Sequence, residues 1–355
     1  MKILVLSCGG TISQMPNEDG VLGFNDGCYK GGTFARLLKP TSEVLGIELV
    51  HSKTILSKDS SNFVIDDWKK IIKNVVTYYD EYDAFIVLHG TDTMAYSTSA
   101  ASFALGNLGK PVVFTGSQIP YGQPGTDAVK NLENCLRVIM AHPELVGVYM
   151  VFGTQIVSGV RVKKKTEFDY DAFKSSRRAR GLGVVGTDIS LNNSEVKIHL
   201  DALRPFAKVA DDLDVRNDFS DKVMALSEFP GMRSDLMIAL AEAGTKGFLV
   251  RSFGDGNINI TENDAPYESL RPALEYMKEK GIPVVITSQA PHGSASMQLY
   301  GPAILAKELG AIAGFDMGIE SAIVKLSWLI AQETPYKKIE GLMQKSLRGE
   351  INKGA

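Results

Sequence analysis

Three places in the chain set a nucleophilic or proton-carrying side chain beside backbone that can bring it to a ligand. The first is Cys8-Gly9-Gly10-Thr11-Ile12. Its two glycines permit a sharp turn and a close backbone approach, and Thr11 then presents a hydroxyl. The second is His89-Gly90-Thr91-Asp92-Thr93, with two further hydroxyls and a carboxylate. The third is Lys164, within Lys163-Lys164-Lys165. A threonine hydroxyl is a weak nucleophile and attacks a carbonyl only with an adjacent base or donor network. A lysine can serve as that base, because its neutral amine accepts a proton and desolvation favours the neutral form. Each feature also has an ordinary use. Gly-Gly marks simple turns, Thr and Asp before a helix are capping residues, and lysines in a basic run are usually solvated. Two hydroxyl-rich segments at comparable places in the fold favour chemistry over these uses.

Those places are strand ends. Short β-branched apolar runs at Ile3–Ser7, Ala84–Leu88, Val112–Thr115 and Val146–Phe152 predict buried strands. Between them, Asp66–Tyr79, Met94–Leu108 and Asp127–Ala141 carry helical periodicity. Alternating strands and helices predict βαβ units around a mainly parallel sheet, in which ligands bind beyond the carboxyl ends of the strands. Thr11 and Thr91 both follow such ends.

The pattern fades after Asp171, where Gly183–Ser190 and Glu195–Leu200 read as short alternating segments and residues 210–218 are acidic and polar. A second α/β pattern follows: helices near 233–242, 266–280, 301–309, 319–331 and 336–348, with strands at 247–252 and 283–288. The expected organisation is α/β in two domains. A larger N-terminal catalytic domain, 1–190, has a mainly parallel sheet flanked by helices. A connection, 191–215, leads to a smaller C-terminal α/β domain, 216–355.

Composition narrows the function classes. The chain has 355 residues, 44% hydrophobic and 22% charged, enough apolar material for a sizeable core and too much for a disordered chain. A net charge of 38 − 41 = −3 gives no basic footprint for nucleic acid and no general attraction to anionic membranes. Cys8, Cys28 and Cys135 are few and odd in number, which suits a reducing compartment. The first apolar run is too short for a signal peptide's core, and no stretch approaches the roughly 18 continuous apolar residues of a spanning helix. A cytoplasmic enzyme is expected. The five histidines show no metal-ligand spacing.

On these residues the chain resembles the L-asparaginase family, in its cytoplasmic (type I) branch. The resemblance rests on Gly9-Gly10-Thr11-Ile12, Asp59-Ser60-Ser61-Asn62 and His89-Gly90-Thr91-Asp92-Thr93-Met94. It continues through Thr115-Gly116-Ser117, Thr126-Asp127-Ala128 with Asn131-Leu132, Lys164, Arg251-Ser252-Phe253-Gly254 and Val324-Lys325-Leu326. It implies hydrolysis of L-asparagine to L-aspartate and ammonia through a threonine-linked acyl-enzyme, without metal or organic cofactor. Thr11 would be the nucleophile, with Thr91, Lys164 and Asp92 handling protons. Ser60 and Ser61 would hold the substrate's α-carboxylate and nearby backbone, and Asp59, Thr91 and Asp92 would also line the substrate site, Asp92 facing the α-ammonium. A homodimer or homotetramer is implied, with the small molecule as partner and neither nucleic acid nor membrane.

One departure stands out. The family usually carries a tyrosine about ten residues after the nucleophile, on a mobile loop. That position is Val21, and Tyr29 is the candidate for the role. Competing readings are a dual glutaminase-asparaginase and a non-catalytic amino-acid sensor of the same fold. A third is the ammonia-supplying subunit of a tRNA amidotransferase, which would carry an extra N-terminal domain not expected here. Gly181-Leu182-Gly183-Val184-Val185-Gly186 satisfies a dinucleotide-binding spacing but lacks the preceding strand and following helix that such a site needs.

Overall fold

The structure is a computed structural model and describes residues 1–24, 31–177, 179–203, 213–261 and 269–352. The chain forms two compact units, residues 1–175 with 180–217, and residues 176–179 with 218–355.

The first unit is built on eight strands in the order 189–191, 183–185, 155–158, 147–152, 111–115, 84–88, 2–9, 49–58. From 49–58 to 147–152 every pair is parallel, and 155–158, 183–185 and 189–191 add antiparallel strands at the far edge. Alternate residues of the strands, Ile3, Val5, Ile86, Val113 and Tyr149, join Phe34 and Leu38 of helix Gly31–Val44 and Leu132, Leu136 and Ile139 of helix Ala128–Ala141 in one core. Helices Ile65–Thr77 and Met94–Ala104 pack together and cover the strands separately. The second of these is buried on all sides, which its Ala- and Ser-rich sequence permits. Taken in chain order, the five parallel strands run 2-1-3-4-5. The connections therefore diverge between strands Lys2–Gly9 and Ala84–Leu88, and a ligand crevice opens at such a switch point.

The second unit carries four parallel strands in sequence order, Val223–Ser227, Gly247–Ser252, Val284–Ser288 and Ala311–Ala313, with helices Ser234–Glu242, Arg271–Lys280, Gly301–Glu308, Ile319–Ala331 and Tyr336–Met343. The expected α/β class and mainly parallel larger sheet are present.

Several elements differ from the sequence reading. Glu195–Leu200, expected to alternate as a strand, lies in a helix, Asn193–Asp201. His199 supplies its buried anchor, 2.9 Å from Val146 O and edge-on to Tyr149. Residues 191–203, assigned from sequence to the connection, thus hold the end of a strand and a helix packed on the first unit, and 204–212 lie outside the described residues. The Gly181–Gly186 motif forms the Gly183–Val185 strand of an antiparallel hairpin, with another strand after it rather than a helix. No helix among the described residues is long and apolar enough to cross a membrane.

Candidate active site

Glycine backbones bring the two switch-point strand ends together. Gly9 and Gly10 have φ of +95° and +77°, a region that L side chains rarely adopt. A Cβ on Gly9 would lie 2.4 Å from Lys58 O, and one on Gly10 would lie 2.3 Å from Gly90 N. A Cβ on Gly90 would in turn lie 2.5 Å from Ser60 Oγ. Three chain segments, after Gly9, Lys58 and Leu88, therefore meet with no room for a side chain between them. Gly10 N–H donates to Lys58 O at 3.0 Å, and Thr93 Oγ1 donates to Ser60 O at 2.8 Å.

Thr11 opens a single 3-10 turn, Thr11–Ser13, held by Ser13 N–H to Gly10 O (2.9 Å) and Gln14 N–H to Thr11 O (3.1 Å). Ile12 is fully buried and fixes the turn to the core, while Thr11 stays partly accessible. Among the described residues nothing hydrogen-bonds the Thr11 hydroxyl, so it is available to a ligand.

Lys164 reaches the other strand end. It lies on a hairpin, Val162–Lys164 with Phe173–Ser175, and pairs across it with Phe173. Phe173 is buried against Phe152, ring centroids 5.0 Å apart, so apolar packing anchors the hairpin that carries the amine. Lys164 Nζ donates to Thr91 Oγ1 at 2.8 Å and to Asp92 Oδ1 at 2.7 Å. Of the three consecutive lysines, the structure brings this one to the threonine and the carboxylate.

Asp59 caps the turn Ser60–Asn62. Its Oδ1 accepts from Ser61 N–H (2.9 Å) and Ser61 Oγ (2.7 Å), and its Oδ2 accepts from Gln14 Nε2 (3.1 Å). Partial burial works to raise the Asp59 pKa. The hydrogen bonds from Ser61 and Gln14 and the Lys164 charge outweigh it, and the carboxyl sits below its ordinary value. Lys164 is thus electrostatically linked to both acids, Asp92 and Asp59.

Three residues that the sequence marked without a role are braces. His89 is fully buried, and burial lowers its pKa to about 4. Its Nδ1 contacts Gly90 O at 2.7 Å, a pure acceptor, so the proton sits on Nδ1 and Nε2 accepts from Ser97 Oγ at 2.8 Å. A neutral, saturated imidazole holds the Gly90 peptide and is no proton carrier. Asp127 accepts from the N–H groups of Gln118 and Ile119 at 3.0 Å. Asn131 donates to Asp127 Oδ2 (2.9 Å) and Gly116 O (3.0 Å), and accepts from Gly153 N–H (2.9 Å). Together they fasten the loop after strand Pro111–Thr115. A cavity of about 920 Å³ lies over this brace, lined by Lys130, Asn134, Arg137, Thr154 and Asp171 among others, and by none of Thr11, Thr91, Asp92 or Lys164.

Val21, ten residues after Thr11, is exposed beside the short ladder of Met15–Pro16 with Leu22–Gly23, and it offers no hydroxyl. Tyr29, the candidate lid residue, lies outside the described residues. Sequence reasoning missed Gln14; a glutamine three positions after Thr11 carries no signal of its own. Among the described residues, no three His, Cys, Asp or Glu side chains are grouped to hold a metal ion.

Comparison with known proteins gives the family. Residues 2–197 match the family model described as "Asparaginase, N-terminal", and residues 222–343 match "Glutaminase/Asparaginase C-terminal domain". The chain is 32% identical to L-asparaginase 1 of Escherichia coli K12, over 99% of this chain and 98% of that one. It superposes on the thermostable L-asparaginase of Thermococcus kodakarensis with a TM-score of 0.82 at 28% identity, covering 99% of both chains. The L-asparaginase I structure from Vibrio cholerae gives 0.79 at 27% identity, again over 99% of both. With both family models matched along a two-unit α/β chain, the protein belongs to the asparaginase family.

Proposed function

We propose that this chain hydrolyses L-asparagine to L-aspartate and ammonia, with Thr11 as nucleophile. The observation that carries the reading is Lys164 Nζ, hydrogen-bonded to both Thr91 and Asp92, at the strand end that Gly10 and Gly90 press against the Thr11 turn. Thr11 Oγ1 bonds to the side-chain amide carbon, and the carbonyl π pair moves to oxygen. The Thr11 proton passes to the Thr91 oxygen as the Thr91 hydroxyl proton moves to Lys164 Nζ, a transfer that needs the amine in its neutral form. Collapse of the tetrahedral species breaks the C–N bond, and the departing nitrogen takes the proton back from Lys164 through Thr91 and leaves as ammonia. Water then attacks the β-aspartyl ester by the same relay and releases aspartate, restoring Thr11. In this reading, backbone N–H groups near the two strand ends stabilise the oxyanion.

Asp92 orients Lys164 and offers a carboxylate to the substrate's α-ammonium. Ser60 and Ser61 hold the α-carboxylate and adjacent groups, and Asp59 lines the same site. A cytoplasmic setting is supported by Cys8 and Cys135, both buried and unpaired, and we expect a homodimer or homotetramer.

The test is release of ammonia and aspartate from asparagine by purified protein, with glutamine in parallel. Equimolar products from asparagine are expected. Binding of asparagine without turnover would make the chain a sensor and overturn the reading. Glutamine differs by one methylene, worth about 1–3 kcal/mol in a pocket, so the ratio of the two kcat/KM values measures how closely the site fits the shorter side chain.

A further inference from the structure

Among the described residues, Gln14 bonds to both turns of the candidate site. Its backbone N–H closes the nucleophile turn on Thr11 O at 3.1 Å. Its side-chain Nε2 donates to Asp59 Oδ2, also at 3.1 Å, across 45 residues of sequence. Asp59 in turn caps the turn Ser60–Asn62 through its other oxygen, which takes both the N–H and the hydroxyl of Ser61. Gln14 is buried, at 6% exposure, so its amide is not free to swing into water. It is also a neutral donor. A lysine or arginine here would hold Asp59 equally well but compensate its charge, whereas an amide fixes the carboxylate without adding a positive charge. That charge faces Lys164.

We propose that Gln14 is a positioning residue for the hydrolysis. Through Asp59 and Ser61 it holds the groups that receive the substrate's α-substituents in register with the Thr11 turn. Gln14 touches neither the reacting bond nor the proton relay. Its loss should therefore weaken substrate binding more than turnover. This inference rests on the hydrolase reading above.

The experiment compares wild type, Gln14→Met, Gln14→Glu, Asp59→Asn and the double variant Gln14→Glu/Asp59→Asn in steady-state asparagine hydrolysis. Methionine keeps the volume and removes the donor. Its expected effect is a rise in KM of about tenfold, the scale of a lost hydrogen bond to a charged group, with kcat within about threefold of wild type. Glutamate sets a second carboxylate against Asp59. The pair then shares a proton in acid and repels when both ionise, so KM should climb between about pH 5 and about pH 8, a trend absent from wild type. In the double variant the amide introduced at position 59 donates to the carboxylate introduced at position 14. Its carbonyl still accepts from Ser61, and KM should return toward wild type. If wild type releases no ammonia from asparagine, the hydrolase reading fails and takes this inference with it. If wild type is active and Gln14→Met keeps its KM, or loses kcat alone, only the inference is overturned. Should the methionine variant not fold, the Gln14→Glu pH series decides, and a profile parallel to wild type overturns the proposal.

Discussion

Lys164 and Thr91 are joined by a 2.8 Å hydrogen bond across 73 residues of sequence. The contact exists because the Phe173–Phe152 packing delivers the hairpin to the end of strand Ala84–Leu88. Lys164→Met removes the amine and keeps the stem. We expect kcat to fall by about a thousandfold, the scale of losing a proton-transfer partner. The ion pair to Asp92 is substantially exposed, so thermal unfolding should register no more than about 1 kcal/mol. Paired kinetics and melting curves separate the two effects.

The glycine contact predicts a contrast. Gly10 and Gly20 share a positive φ, +77° and +79°, yet a Cβ on Gly20 meets nothing within 4 Å. Gly20→Ala isolates the backbone cost, about 1 kcal/mol. Gly10→Ala adds a collision with Gly90, and should cost at least about 3 kcal/mol and abolish activity. Urea unfolding and ammonia release read both.

In the second unit, Lys325 and Glu350 form an ion pair at 2.5 Å with neither side chain exposed. Lys325 also donates to Lys345 O, and Glu350 accepts from the N–H groups of Leu347 and Arg348, so the pair clasps the chain after helix Tyr336–Met343. Lys325→Met leaves a buried carboxylate unmatched and should cost about 3–5 kcal/mol. Adding Glu350→Gln removes that charge while keeping an acceptor for the two N–H groups, and should recover part of the loss in urea unfolding.

Stability should fall in mild acid. Burial lowers the pKa of His89 and of His199 from 6.5 to about 4. Between those values the unfolded chain binds two protons that the folded chain does not, each worth about 1.4 kcal/mol per pH unit. Burial raises Glu228 from 4.5 to about 7, so the folded chain holds a proton there that the unfolded chain releases, and the contribution has the opposite sign. His199→Gln should flatten the acid loss and Glu228→Gln should steepen it, measured by urea unfolding near pH 7 and near pH 5.

Much of the first unit was legible because buried parallel strands are short apolar runs: Ala84–Leu88 appears with the expected bounds. The strand Leu49–Lys58 was not legible, since His51, Lys53 and Lys58 break its apolar run at the sheet's edge. Helix Gly31–Val44 opens on two glycines and contains Pro40, which hid it. For the site, Thr11, Thr91 and Asp92 stand out because motif and strand end coincide. Lys164 could not be told from Lys163 or Lys165 by type alone. Gln14 and the Asp127–Asn131 brace act through contacts between loops distant in sequence, which no local pattern encodes.

The central claim is that Thr11 carries the acyl group, and the most direct measurement is asparagine hydrolysis by Thr11→Ala beside wild type. Wild type should release ammonia steadily. The variant should lose about a thousandfold or more in kcat, with folding and Lys164 intact. Wild-type turnover by Thr11→Ala would contradict it.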